Sequence, residues 1–293
     1  MDRIAAFFLL LAAACAQEAP LPAPGVAATI APLRNVAPGD AVVVAAGDIA
    51  DCKHLGDARA TAAIVATLPN ATVLTLGDNA YPSGSPYDFA RCYDPTWGAF
   101  KARTRPSPGN HEGRTSGSSG YFSYFGVPQY YSFDLGGWHL VSIDSEIGIG
   151  EASPQIEWLK HDLDATAKPC ILAYWHHPRW SSGLHGTQAR DRGRLTGALW
   201  SVLAAHHATL VLNGHDHDYE RFAPRDGIRE IVAGTGGAAL RKFDRVVAGS
   251  EVRVQRLHGV LVLTLHPHSY EWRFVGVDGR IHDESARDEP CAR

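Results

Sequence analysis

The chain has 293 residues, 45% of them hydrophobic and 20% charged, which is the make-up of a soluble globular protein with room for one large α/β domain or two small ones. A net charge of −4 without any Lys/Arg block speaks against a nucleic-acid-binding surface. The departures from the ordinary are 15 His, a single Met and 29 Gly, and many of the histidines stand beside Gly, Asp, Asn or Pro, the surroundings of a site built on loops.

At the start, Arg3 precedes an apolar run over residues 4–14, as long as the core of a signal peptide and too short to span a bilayer. It can end in two ways. Ala14-Cys15-Ala16 obeys the small-x-small cleavage rule, so residues 1–16 form a leader and the mature chain begins at Gln17. Alternatively "LAAAC" is like a bacterial lipobox, with Cys15 lipidated as the first residue. Both readings export the chain, to the periplasm or beyond, and the second anchors it to a membrane. Residues 17–39 are rich in Pro and Ala without periodicity and form a linker, so the globular part spans 40–293.

From there the pattern is strand, turn, helix. "AVVVAA" reads as a strand ending in Gly47-Asp48, "ARATAAIVATL" as a helix, and "ATVLTL" as a strand ending in Gly77-Asp78. A helix over 87–101 leads to Pro108-Gly109-Asn110-His111-Glu112, and "YYSFDLGGWHLVSIDS" alternates around Gly-Gly as a hairpin. "SPQIEWLKHDLDAT" is a helix capped by Ser153 with Pro154 in its first turn. "CILAYW" is a strand ending in His176-His177-Pro178, "DRGRLTGALWSVLAAHH" a helix, and "ATLVLN" a strand ending in Gly214-His215-Asp216-His217. Strands over 228–233, 260–266 and 270–275 complete the chain.

Five apolar or extended segments thus each end in Asp, Asn or His beside Gly or Pro. In parallel α/β sheets the carboxyl ends of the strands form one edge, where ligands bind. Asp48, Asp78, Asn110, His176, His215 and His217 are therefore expected to converge. Carboxylates, an amide carbonyl and imidazoles suit Fe, Mn or Zn, and a shared Asp can hold two ions in the clamp used for in-line phosphoryl displacement. Cys52, Cys92, Cys170 and Cys291 are an even set with three possible connectivities. Cys52 and Cys92 each follow a ligand loop, so their bond would brace the site, and Cys291 could tie the tail to Cys170.

Taken together, "GDIA", "GDNAY", "GNHE", "AYWHHP" and "GHDH" resemble the blocks of the calcineurin-like metallophosphoesterases and, more narrowly, the purple acid phosphatases. Ala50 stands where the wider superfamily has a metal-binding His, and Tyr81 stands where the purple branch has its tyrosine ligand. The resemblance implies two packed mixed sheets flanked by helices. It implies a first ion, Fe(III), on Asp48, Tyr81 and His217, a bridging Asp78, and a second ion (Fe, Zn or Mn) on Asn110, His176 and His215. It further implies that His111 and His185 face the phosphate as catalytic and substrate-binding groups, with Asn110 also at the substrate, and that Glu112 holds a neighbouring group. His177 and Asp51 are expected to stay outside the ligand set. The implied reaction is attack of hydroxide from the first ion on a small phosphomonoester. A phosphodiesterase on the same core, or an exported lipoprotein that holds phosphate without turnover, are the rivals.

Overall fold

β1 (Ala41–Ala46) shows how the layers form: Val43 and Ala45 face one core, while Val44 and Ala46 face another, and all four are fully buried. This is the two-sided burial that continuous apolar strands require, with side chains alternating at a period of two. The structure, a computed structural model, describes residue 33, residues 36–188 and residues 191–292. The expected leader, Cys15 and most of the linker lie outside the described residues. Among these residues no helix is long and apolar enough to cross a membrane.

In the first sheet β1 pairs in parallel with β3 (Thr72–Leu76), which pairs in parallel with β5 (Thr104–Ser107). On its other side β1 meets β13 (Gly259–Leu265), followed by β14 (Ser269–Gly276), with β15 (Ile281–Glu284) and β16 (Glu289–Pro290) both on β14, all antiparallel. The second sheet has the order β12 (Ser250–Val254), β10 (Tyr219–Phe222), β11 (Arg229–Ala233), β9 (Leu210–Asn213), β8 (Cys170–Tyr174), β7 (Trp138–Ser142), β6 (Tyr131–Leu135). Its inner four strands are parallel. A short parallel pair, β2 (Ala50–Asp51) and β4 (Ala80–Tyr81), links two of the loops.

One core lies between the sheets, built from Val43, Leu74, Leu140, Leu172, Leu212, Ile231 and Leu263 among others. A second fills the outer face of the first sheet under α1 (Leu55–Ala66) and the aromatics Phe89, Tyr93, Trp97 and Tyr121. A third packs α4 (Pro154–Ala165) and α6 (Gly197–Ala205) on the outer face of the second sheet. The result is the expected mixed α/β architecture, two packed sheets flanked by helices.

Some expected elements differ. The helix over 87–101 is broken into α2 (Pro86–Asp88), a π-helical turn Phe89–Tyr93 and a 3₁₀ stretch Trp97–Arg103. Pro95 lies in the gap and has no N–H with which to continue a helical ladder. β5 contains Pro106, which reads against a strand and is tolerated here because β5 is an edge. The helix near 191–207 begins as a 3₁₀ turn, Arg192–Thr196, before α6. Two disulfides, Cys52–Cys92 and Cys170–Cys291, have Cα–Cα separations of 5.0 and 5.4 Å. The first ties the loop after β2 to the segment after β4, and the second fixes the tail to the head of β8.

Candidate metal centre

Asp48 follows β1, Asp78 follows β3 and Asn110 follows β5, while His176 follows β8 and His215 follows β9. The carboxyl ends of both parallel ribbons therefore meet at one place, and the site straddles the two sheets. Asp48, Asp78 and His215 have φ of 58°, 50° and 72°, a region that side-chain-bearing residues rarely occupy. Each follows a glycine at a strand end, so three left-handed turns aim three polar side chains into one space. Backbone strain of this sort persists where the surrounding structure fixes it, commonly at functional sites.

The Tyr81 hydroxyl donates to Asp48 Oδ1 at 2.8 Å and Asp78 Oδ2 at 3.1 Å, and lies 3.4 Å from His217 Nε2. His217 Nε2 is also 3.2 Å from Asp48 Oδ1. On the other side of Asp78, His176 Nε2 stands 3.3 Å from Asp78 Oδ2, 3.1 Å from Asn110 Oδ1 and 3.1 Å from His215 Nδ1. Asp78 is common to both groups. The close approaches demand glycine: a Cβ on Gly109 would lie 2.3 Å from Asp78 N, and one on Gly77 would lie 2.5 Å from His176 Nδ1.

The outward nitrogens of the three histidines fix the character of the inward ones. His176 Nδ1 donates to the Leu76 carbonyl at 2.9 Å and His217 Nδ1 to the Ala239 carbonyl at 2.7 Å. His215 Nε2 faces Asp191 Oδ2 at 2.9 Å. In neutral rings the inward nitrogens are then bare lone pairs. With both rings neutral, His176 Nε2, His215 Nδ1, Asn110 Oδ1 and Asp78 Oδ2 would be four acceptors turned toward one another. A cation resolves this, either a proton on an imidazole or a metal ion. Second partners on ring nitrogens, carbonyls and a carboxylate, are what orient metal-ligating histidines.

Without a metal the protons show how strong the field is. Burial would depress the His176 pKa, yet Asp78 and Asp48 raise it to about 10. Burial opposes charge on Asp48 too, but His217 and His176 hold it down at about 2. Burial, Asp48 and Asp78 push the Tyr81 phenol well above its usual value, so it stays a donor until a bound cation reverses the balance.

Around this core, the His111 backbone N–H donates to Asp78 Oδ1 at 2.8 Å, its Nδ1 donates to the Pro82 carbonyl at 2.7 Å, and its Nε2 is 3.8 Å from Asp78 Oδ2. Glu112 is fully buried and accepts from the backbone of Asn79 at 2.9 Å, Ala80 at 3.2 Å and Gly109 at 2.8 Å. It thereby ties the Asp78–Tyr81 loop to the Asn110 loop. Burial and the neighbouring Asp78 raise its pKa to about 8. His177 Nδ1 bonds Ser145 at 2.9 Å and lies 3.2 Å from Glu146, and Asp51 caps its own turn through Lys53 N and His54.

His185 sits on a helical turn, α5 (Leu184–Thr187), where the sequence suggests an irregular loop. Asp216 makes the turn possible by accepting from the Ser181 hydroxyl and from the backbone of His185 at 2.9 Å and Gly186 at 3.1 Å. The His185 ring lies 4.1 Å from that of His215, and its Nε2 contacts the Arg241 guanidinium. Burial, His215 and Arg241 push its pKa down to about 4. Asp191 and Arg241 carry no motif in the sequence. Asp191 lies in an Asp/Arg-rich run resembling a solvated helix start, and Arg241 follows a Gly/Ala stretch with no chemical signal.

The calcineurin-like phosphoesterase family model matches residues 29–219, which holds every candidate ligand. Purple acid phosphatase 15 of Arabidopsis thaliana is 37% identical over 95 residues, 31% of this chain and 18% of that protein. Tartrate-resistant acid phosphatase type 5 of Sus scrofa is 25% identical over 241 residues, covering 70% of this chain and 69% of that one. Purple acid phosphatase PPD1 from yellow lupin superposes with a TM-score of 0.70 at 19% identity over 85% of this chain and 54% of its own, a likeness of fold. The match thus spans well under two-thirds of the Arabidopsis and lupin proteins. With its strand-end blocks inside the matched region and purple acid phosphatases among its relatives, the chain belongs to the calcineurin-like phosphoesterase family.

Proposed function

We propose that the protein is a binuclear-metal phosphoester hydrolase of the purple acid phosphatase type, acting on a small phosphomonoester. The observation that carries this reading is the set of carboxylate, amide and imidazole ligand atoms facing one another on either side of Asp78. Asp48, Tyr81 and His217 would hold the first ion, Asn110, His176 and His215 the second, and Asp78 would bridge. A phenolate among carboxylates and imidazole suits Fe(III), and the amide and two imidazoles of the other side suit Fe, Zn or Mn. When bound, such a pair supplies an activated water and a Lewis acid for a phosphate oxygen.

The chain's own groups do the rest. Asp191 orients His215, while Glu112 keeps the Asp78 and Asn110 loops at a fixed spacing. His111, with Nδ1 donating to a carbonyl, presents Nε2 toward the centre, where as an imidazolium it would donate to a phosphate oxygen. His185 and Arg241 stand beside His215, where a guanidinium complements a phosphate dianion, and an imidazole recharged by that dianion can move a proton to the leaving oxygen. No side-chain nucleophile is required. Two disulfides suit an oxidising compartment, in keeping with export through the N-terminal leader, with or without a lipid on Cys15.

The test is turnover of nitrophenyl phosphate and bis(nitrophenyl) phosphate by metal-loaded protein, before and after chelation. Faster monoester hydrolysis that chelation abolishes supports the reading. Preference for the diester shifts it to a phosphodiesterase, and no turnover of any ester after loading refutes catalysis.

A further inference from the structure

A second cluster lies at the far end of β1. His266 directly follows β13, whose Leu265 pairs with Ala41, the first residue of β1, whereas the candidate metal centre lies beyond Ala46. The length of β1 and its turn separates the two by roughly 20 Å at about 3.3 Å per residue. In the register of β13 with β14, Thr264 faces Glu271 and Leu265 faces Tyr270, so His266 and Glu271 project from the same face as diagonal neighbours. β16 pairs Glu289 with Tyr270, and one step further brings Asp288 opposite Glu271. Two carboxylates and an imidazole are thus gathered from three strands, with ligand atoms all within 4.8 Å of one another.

The state of His266 sets this cluster apart from a surface ion pair. Its Nδ1 is 2.9 Å from Asp40 Oδ2, and that carboxylate is almost completely buried and also accepts from Ala37 N. Its Nε2 is buried and has no hydrogen-bond partner, and the residue is only 8% exposed. The nearest cluster carboxylate, Asp288 Oδ2, is 4.0 Å away, too far for a hydrogen bond. The backbone is pinned at the same residue, with His266 N donating to Ser269 O and Trp138 Nε1 donating to His266 O at 2.8 Å. A carboxylate on one ring nitrogen and a buried second nitrogen without a hydrogen-bond partner, 4.0 Å from Asp288 and in one cluster with Glu271, is the arrangement that orients a metal-ligating histidine.

We propose that His266, Glu271 and Asp288 bind a divalent cation of the zinc class, with Asp40 as the residue that positions His266. One imidazole and two carboxylates favour zinc over calcium, which takes oxygen ligands throughout. Ligand distances of about 2.0–2.2 Å require donors roughly 3.4 Å apart, so the cluster must tighten by about half to one and a half ångströms. Asp288, half exposed before β16, has the freedom to close that gap. The ion would fasten β16 to the sheet beside the Cys170–Cys291 bond and stabilise the folded chain by mass action.

Zinc counting by mass spectrometry tests this on the full protein with its phosphoesterase centre loaded, dialysed against zinc and then against metal-free buffer. The wild type should keep one more zinc per chain than His266→Gln. Asp40→Asn should weaken that zinc about 10–100-fold. Asp288→Asn, on the exposed rim and safe for folding, should lose the zinc-dependent rise in Tm. Phosphoester turnover should be unchanged in all three, because none touches the candidate metal centre. Equal zinc content in the wild type, His266→Gln and Asp288→Asn overturns the proposal. So does a fall in Tm for Asp288→Asn that is the same with and without zinc, which would leave only an ion pair.

Discussion

Gly109→Ala offers a sharp test of how the ligand loops fit together. Gly109 does not have a positive φ, so alanine brings no backbone strain and the outcome depends on space alone. A Cβ there would lie 2.3 Å from both Asp78 N and Asp78 Oδ1, and ordinary contact begins near 3.4 Å. The neighbour is backbone as well as carboxylate, so a side-chain rotation cannot relieve it and Asp78 must move by about 1 Å. A displacement of that size at a reacting centre lowers the rate by about 10²-fold, and overpacking of this kind destabilises by about 1–3 kcal/mol. Gly113→Ala, in the same loop, is the control, because its Cβ would meet nothing closer than Glu146 Oε2 at 3.5 Å. The assay is kcat on nitrophenyl phosphate with metal content and Tm measured on the same preparations. Gly109→Ala should lose about two orders of magnitude while Gly113→Ala stays within about threefold of wild type. Equal behaviour of the two variants, or a Gly109→Ala enzyme with native rate and metal content, would refute the reasoning.

Tyr81→Phe should abolish the visible phenolate-to-iron band of purified protein while far-UV circular dichroism stays unchanged; a colourless and active iron-free wild type contradicts the tyrosine assignment. Asp191→Asn removes the carboxylate on His215 Nε2 and should weaken the second ion about 10–100-fold with little effect on the first, measured by competition with a chelator. Equal weakening of both ions would show that Asp191 does not act through His215. His185→Ala should leave metal content intact and slow esters with poor leaving groups by up to about 10²–10⁴-fold, with a smaller loss for nitrophenolate. An equal loss across leaving groups would assign His185 to phosphate binding and remove it from proton transfer.

β1, β3, β8 and β9 are legible because each is an apolar run closed by a polar residue with Gly or Pro close by, and that signal is local; β5, with Arg105 and Pro106, lacks it. The convergence of Asp48, Asp78, Asn110, His176, His215 and His217 followed from the rule about strand ends, and all six meet within the site. The rule does not tell which sheet a strand joins, so the meeting of two sheets at the centre could not be read from periodicity. β10, β12 and β15 escaped notice because they mix charged and apolar residues, as in "YERF" and "SEVRV", and owe their pairing to neighbours distant in sequence. The resemblance implies a holding role for Glu112, but its three backbone partners appear only when two loops are brought together. Asp191 and Arg241 are illegible in the sequence for the same reason: each gains its meaning from a histidine on another loop. The cluster at His266 has no motif at all, since its residues lie in or beside β13, β14 and β16, which the sheet registers alone align.

Anomalous diffraction from crystals of the purified protein, recorded on either side of the iron edge, tests the central claim most directly. The account predicts two peaks sharing Asp78, an iron peak among Asp48, Tyr81 and His217 and a second metal among Asn110, His176 and His215. No metal peak at Asp78, or a single ion that leaves Tyr81 or His176 without a metal bond, would contradict it.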